Sequence, residues 1–267
     1  MPPLASLLSE VSGIAREAGL AILAHYHPSV SVQYKDDKSP LTAADTAAHE
    51  LIVARLLRLT PDIPVLSEEG VESAFSANTQ GEYWLVDPLD GTKEFISGNG
   101  EFTVNIALIH QGRPVLGVVY APVLAHTYLA ASGHGAFKQL DDGLSQPIGV
   151  AKHVAGCKWR VAGSRSHAGE GMQAWLSRLG EHEFIAMGSS LKFCLVAEGQ
   201  ADIYPRLGPT SLWDTAAAQC VLEQAGGAVV SLQGQALSYS SPQQRLNPQF
   251  IAHSNDEALR RLLKIAC

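Results

Sequence analysis

Between residues 102 and 131 three apolar runs, 102–110, 114–120 and 125–131, follow one another with almost no chain between them. They are joined by Gln111-Gly112-Arg113 and by Ala121-Pro122-Val123-Leu124. A parallel crossover needs roughly a dozen residues or more, so connections this short require antiparallel neighbours. Any fold open to this chain therefore contains an antiparallel sheet near its middle. Tyr83-Trp84-Leu85-Val86 adds a short buried strand just upstream.

On the N-terminal side, Leu4, Leu7, Leu8, Val11, Ile14, Ala15, Ala18 and Ile22 recur at three- and four-residue spacing. That period predicts an amphipathic helix, ended by His27-Pro28. Thr42 opens a second helix that runs to Leu59 and closes at Thr60-Pro61-Asp62. The polar stretch Lys35-Asp36-Asp37-Lys38-Ser39-Pro40 between them reads as a loop. After about residue 150 the rhythm changes to strand–helix alternation: strand 158–162, helix 170–179, strand 184–187, helix 191–199, strand 201–204, helix 214–224, strand 228–232 and helix 256–265. Gly226-Gly227 is a good stop for the third of these helices. Two halves follow: residues 1–150 as helices on an antiparallel sheet (α+β), and 151–267 as an α/β unit. No repeat or flexible linker separates them, so they share an interface.

Composition narrows the function. Lys and Arg number 19 against 26 Asp and Glu, a net charge of −7, where a chain that grips a nucleic-acid polymer needs a basic excess. No apolar run approaches the roughly 18 residues that cross a bilayer. Met1 to Glu10 lacks a basic region and a cleavage site, so no secretory signal is expected. The four cysteines, Cys157, Cys194, Cys220 and Cys267, form no Cys-x-x-Cys pair and read as buried, inert thiols in a reducing, cytoplasmic setting.

Trp84-Leu85-Val86-Asp87-Pro88-Leu89-Asp90-Gly91-Thr92 carries the most chemistry. An apolar strand ends, two carboxylates follow three residues apart, and Gly91 lets the backbone approach a ligand. Crowded carboxylates repel by roughly 4 kcal/mol at about 4 Å and an effective dielectric near 20, and a cation between them relieves this. Ligands that are all oxygen, without His or Cys, suit a hard ion such as Mg²⁺. Asp-Gly is also ordinary turn chemistry, and alone the segment fits either reading. The neighbouring signals are blander still. Ser67-Glu68-Glu69 fits a solvated strand end, Trp213-Asp214-Thr215 a plain N-cap, and Thr42-Ala43-Ala44-Asp45 a capping box.

Taken together, four segments resemble the Mg²⁺-dependent, lithium-sensitive phosphatases of the inositol monophosphatase superfamily. They are Ser39-Pro40-Leu41-Thr42-Ala43-Ala44-Asp45, Ser67-Glu68-Glu69, Asp87-Pro88-Leu89-Asp90-Gly91-Thr92 and Trp213-Asp214-Thr215-Ala216, in that superfamily's order and spacing. Lys93-Glu94-Phe95, Gly188-Ser189-Ser190-Leu191-Lys192-Phe193-Cys194 and Tyr204-Pro205-Arg206 are similar to its bacterial CysQ-type branch, the 3′(2′),5′-bisphosphate nucleotidases. The resemblance implies a layered α-β-α-β-α sandwich of the inositol monophosphatase and fructose-1,6-bisphosphatase type. It also implies hydrolysis of the 3′-phosphate of adenosine 3′,5′-bisphosphate to AMP and phosphate.

By the same resemblance, Glu68, Asp87 and the Leu89 carbonyl would hold one Mg²⁺, and Asp87, Asp90 and Asp214 a second, with two or three ions in all. Thr92, paired with Asp45, would orient and help deprotonate the attacking water, with Glu68 beside them in catalysis. Glu68, Leu89, Asp90, Gly91, Thr92 and Asp214 would also face the reacting phosphate. Ser164, His167, Gly188, Ser190 and Lys192 would meet the nucleotide, and Arg206 the remaining phosphate. Two other readings share the metal core: an inositol or sugar monophosphatase, and a Mg²⁺-dependent nucleotide-binding regulator without turnover. The branch further implies a cytoplasmic protein, with peripheral placement on the inner membrane as an added reading.

Overall fold

The protein is described from a computed structural model that covers residues 3–27, 32–34, 40–70, 77–78, 80–154, 156–165 and 170–263. The short connections predicted between apolar runs are realised in a seven-stranded sheet among these residues. Its strands are β3 (Val65–Ser67), β4 (Glu82–Asp90), β5 (Thr103–His110), β6 (Arg113–Ala121), β7 (His126–Ala131), β8 (Gly135–Leu140) and β9 (Ser145–Ile148), in that spatial order. β3 pairs parallel with β4 and every other neighbour is antiparallel.

Side chains alternate across this sheet with the strand period of two. Trp84, Val86, Val104, Ile106 and Leu108 face α1 (Leu4–Leu23) and α2 (Ala43–Leu59), which cover one side. Tyr83, Leu85, Ala107, Ile109 and Val119 face the other way, toward α5 (Leu191–Ala197) and α6 (Ala216–Gln224). Beyond those helices lies a second sheet of β10 (Trp159–Gly163), β11 (His182–Ala186), β12 (Ile203–Arg206), β13 (Ala228–Ser231) and β14 (Phe250–His253), ordered β11-β10-β12-β14-β13. Its far face packs Trp159, Val161, Ile203 and Ile251 with Trp175, Leu176, Leu179 and Leu259 of α4 (Glu170–Leu179) and α7 (Glu257–Leu263). The layers are thus α-β-α-β-α, as the resemblance implied.

α6 explains its own composition. It lies between two sheets, so Ala216, Ala217, Ala218, Cys220, Val221 and Leu222 are all buried, and small residues set the layer spacing. Gly117 on β6 completes the fit: a methyl group there would sit 2.2 Å from the Ala217 carbonyl oxygen.

Several sequence expectations shift at their edges. α1 stops at Leu23, before His27, and the chain tightens through 3₁₀-type bonds from the His25 and Tyr26 amides to Ile22 and Leu23. Pro40–Thr42 forms β2, antiparallel to β1 (Val32–Tyr34), so Pro40 of the expected loop lies in a strand, and residues 35–39 lie outside the described part. β4 continues past Val86 to Asp90, with the register shifting between Asp87 and Asp90, where Pro88 has no N–H for the ladder. Cys194 and Cys220 are buried as expected, Cys157 is exposed, and Cys267 lies outside the described residues.

Candidate metal and phosphate site

The ends of β3 and β4 meet the starts of α2, α5 and α6 at one corner. Helix starts carry partial positive charge from unpaired amides, so acidic side chains gather there at reduced cost. The capping box at α2 forms as read: Asp45 Oδ2 accepts from the Thr42 amide at 2.7 Å and from its hydroxyl at 2.6 Å. The other oxygen, Oδ1, lies 3.4 Å from the Thr92 hydroxyl. Asp45 therefore caps with one oxygen and meets Thr92 with the other. Thr92 opens α3 (Thr92–Ser97) behind Gly91, whose φ of 95° is the left-handed region that favours glycine.

Glu68 follows β3 in a short 3₁₀ turn (Glu68–Gly70), and Asp87 and Asp90 lie on the last part of β4. Asp214 is not the N-cap of α6. Thr215 holds that place, while Asp214 closes the preceding turn, its Oδ2 accepting from the Ser211 amide at 2.9 Å. Among the described residues, one oxygen from each of Glu68, Asp87 and Asp214 lies within 4.8 Å of the others.

Burial first, then the neighbouring Glu68, Asp90, Asp214 and Asp45 charges, push the Asp87 carboxyl well above the ordinary carboxylate range. Asp214 is raised in the same way by burial and then by Asp90, against a smaller opposing effect of the Ser211 amide. Like charges about 5 Å apart repel by roughly 3 kcal/mol at an effective dielectric near 20. The donor set fits a hard divalent cation: it is all carboxylate oxygen, partly buried, and under-neutralised by its own protein.

Next to the acids, a cavity of about 130 Å³ is lined by Asp90, Gly91, Glu94, Ser164, Ser189, Lys192, Tyr204, Arg206, Thr210 and Asp214, among others. Lys192 is buried with its ammonium 2.6 Å from the Ser189 carbonyl, 3.4 Å from that of Met187 and 5.4 Å from the Tyr204 ring centre. Burial lowers its pKa to about 8, with Asp90 the largest opposing influence. Arg206 Nη2 donates to the Pro209 carbonyl at 2.7 Å and its guanidinium also hydrogen-bonds the Tyr204 side chain, but among the described residues its Nε is buried without a partner, as is the Thr210 hydroxyl. Two donors on residues lining one cavity, both lacking an acceptor among the described residues, fit an anionic ligand.

Of the residues expected at the site, Glu68, Asp87, Leu89, Asp90, Gly91, Thr92, Asp45 and Asp214 gather at this corner. Ser164, Lys192 and Arg206 line the adjoining cavity. Gly188 donates its amide to Glu101 Oε2 at 2.7 Å, and Ser190 is 2% exposed with its polar groups turned into the protein. His167 lies outside the described residues.

Three features were not singled out from sequence. Thr210 lines the cavity, Asn105 reaches the acids from β5, and Glu101 forms a two-pronged ion pair with Arg165. A lone carboxamide inside the apolar run 104–109 was the available signal for Asn105; the others have none short of the fold.

Fold and site together define a phosphatase of the inositol monophosphatase family, to which the chain belongs: the family model matches residues 4–266. Within that family it is similar to the 3′(2′),5′-bisphosphate nucleotidase CysQ of Salmonella typhimurium, at 52% identity over 249 residues, 91% of this chain and 98% of that one. CysQ of Escherichia coli K12 is 51% identical over the same shares. Among solved structures, CysQ from Bacteroides thetaiotaomicron shares 40% identity at a TM-score of 0.79, covering 95% of this chain and 98% of its own. An inositol monophosphatase of Thermotoga maritima reaches a TM-score of 0.78 at 25% identity, over 97% and 96% of the two chains.

Proposed function

We propose that this protein is a 3′(2′),5′-bisphosphate nucleotidase that hydrolyses adenosine 3′,5′-bisphosphate to AMP and phosphate. The observation that carries the reading is the adjacency of two opposite, incompletely matched charge sets. The acids of Glu68, Asp87 and Asp214 adjoin a cavity holding Lys192 and the unpartnered Arg206 Nε and Thr210 hydroxyl. Identity of about half with nucleotidases over nearly the whole chain supports the same substrate class.

In the proposed reaction an oxygen of water attacks the 3′-phosphorus, the P–O3′ bond breaks, and the ribose 3′-oxygen leaves as a hydroxyl. Glu68, Asp87, Asp90, Asp214 and the Leu89 carbonyl would hold Mg²⁺, two or three ions, which neutralise phosphoryl charge and lower the pKa of the attacking water. The Thr92 hydroxyl lies 3.4 Å from both Asp45 Oδ1 and the Leu89 carbonyl, and in donating to Asp45 it leaves its lone pairs to accept from that water and aim it. Lys192, Arg206 and Thr210 hold the non-reacting part of the bisphosphate, so that charge at both ends of the substrate fixes its register. The N-terminal half carries most cation ligands, and the half from residue 151 carries the nucleotide pocket and Asp214.

No helix among the described residues is long and apolar enough to cross a membrane, and the proposed setting is the cytoplasm, where the substrate is a small molecule. The test is phosphate release from adenosine 3′,5′-bisphosphate with Mg²⁺, with chelator, and with added lithium. Release of AMP, lost with chelator and inhibited by lithium, is expected. Release unaffected by chelator would overturn the cation chemistry, and a preference for inositol 1-phosphate would overturn the substrate.

A further inference from the structure

One oxygen of the Asp90 carboxylate is committed inside the protein. Oδ2 accepts from the Ser190 amide at 2.7 Å and lies 2.9 Å from the Ser190 hydroxyl and 3.4 Å from Nδ2 of Asn105. Asn105 Nδ2 also donates to Ser190 Oγ at 2.9 Å. The other end of the amide accepts from the Thr103 hydroxyl at 3.1 Å, which fixes the orientation of the carboxamide. Ser190 Oγ is also 2.8 Å from the backbone carbonyl of Asp214. Asn105, Thr103 and Ser190 are 1%, 0% and 2% exposed.

A buried carboxamide in a strand between Val104 and Ile106 costs free energy unless it is fully bonded, and its bonds here run to an acid and to two hydroxyls. Asp90 Oδ1 has no hydrogen-bond partner among the described residues, so the network leaves one defined oxygen for an outside ligand. It also ties Asp90, from the first half, to the turn carrying Asp214 in the second.

We propose that Asn105 is a positioning residue for cation binding: by holding Asp90 Oδ2 and Ser190 it sets which Asp90 oxygen is offered and how far it stands from Asp214. This rests on the reading of Asp90 as a cation ligand. Outer partners of this kind typically change metal affinity about 10–100-fold when removed.

The test is calorimetric titration of Mg²⁺ into the nucleotide-free protein, comparing wild type, Asn105→Leu and Ser190→Ala, with thermal melts of each in chelator. Wild type is expected to bind. Asn105→Leu should bind about tenfold more weakly or worse, and Ser190→Ala, which keeps the amide bond to Asp90, by a smaller factor. In steady state, the Mg²⁺ concentration for half-maximal rate should rise in both, while KM for the bisphosphate at saturating Mg²⁺ stays unchanged. A merely structural role would move KM and the melts together. No Mg²⁺ binding by wild type would overturn the ligand reading itself. Binding by wild type with both variants within about twofold of it would overturn the positioning role alone. Where Asn105→Leu does not fold, Ser190→Ala decides by the same twofold criterion.

Discussion

The two ends of the site hold buried charge in opposite ways. At the acidic end Asp87 and Asp214 are pushed up by burial and by each other's neighbours. At the basic end Lys192 is pushed down by burial, against the raising effect of Asp90, and among the described residues its ammonium bonds carbonyls and lies over a ring. A stable core would pair such groups with each other or exclude them. On the proposed function each set takes a partner from outside, a cation on one side and an anion on the other. On that same proposal the difference divides the labour: the acidic end would serve chemistry common to the family, and the basic end the choice of substrate.

Removing one acid should break the comparison most severely. Asp87→Asn is expected to cut kcat by about 10³-fold or more, since on the proposed function a cation ligand and its charge are lost together. In chelator the same variant should melt a few degrees higher than wild type. The sign follows from the raised pKa: the folded state holds the proton more tightly than the unfolded one, so the ionised Asp87 destabilises the cation-free protein above the ordinary carboxylate range. Melting curves with and without Mg²⁺ check this. A lower melting temperature in chelator would mean that Asp87 is matched within the protein.

Thr92→Ala should lower kcat by roughly 10²-fold with little change in KM, because in the proposed role its hydroxyl acts on the water and not on the nucleotide. A pure KM effect, measured by steady-state kinetics, would move Thr92 to the binding end. Lys192→Met should do the reverse, raising KM for the bisphosphate about tenfold with a smaller effect on kcat. In wild type the affinity for the bisphosphate should weaken as pH rises through about 8, where Lys192 loses its charge. That step should be missing from the Lys192→Met profile.

The smallest expected effect lies outside the site. Buried His253 has its pKa lowered to about 4 by burial and then by Arg260. The unfolded state takes up the proton first, so stability is full above about pH 6.5 and falls as pH drops toward 4, by of the order of 3 kcal/mol. His253→Gln should flatten that slope in denaturant titrations while leaving kinetics at neutral pH unchanged.

Much of this was legible in the sequence because it is local. The 102–131 runs have strand period and short turns, and they became β5, β6 and β7. Thr42 and Asp45 make a capping box through bonds within four residues. β8 and β9 were not visible: Gly135–Leu140 is only partly buried, Ser145–Ile148 is mostly exposed, and neither carries a clear apolar alternation. β14 was missed because Phe250–His253 is short and buried throughout, so no period shows. At the site, the four motifs announced the acids, but not that Asp214 closes a turn instead of capping α6. The bonds of Ser190 to Asn105 and Asp90 and the Glu101–Arg165 pair join residues more than 60 positions apart, and only the fold brings them together.

The most direct measurement of the central claim is the ratio of kcat/KM for adenosine 3′,5′-bisphosphate over inositol 1-phosphate, in wild type and in Lys192→Met, at saturating Mg²⁺ and pH 7. A ratio well above one in wild type that collapses in Lys192→Met, through loss on the bisphosphate alone, is the predicted result. A ratio at or below one in wild type, or equal loss on both substrates in the variant, would contradict the division between an acidic end that reacts and a basic end that selects.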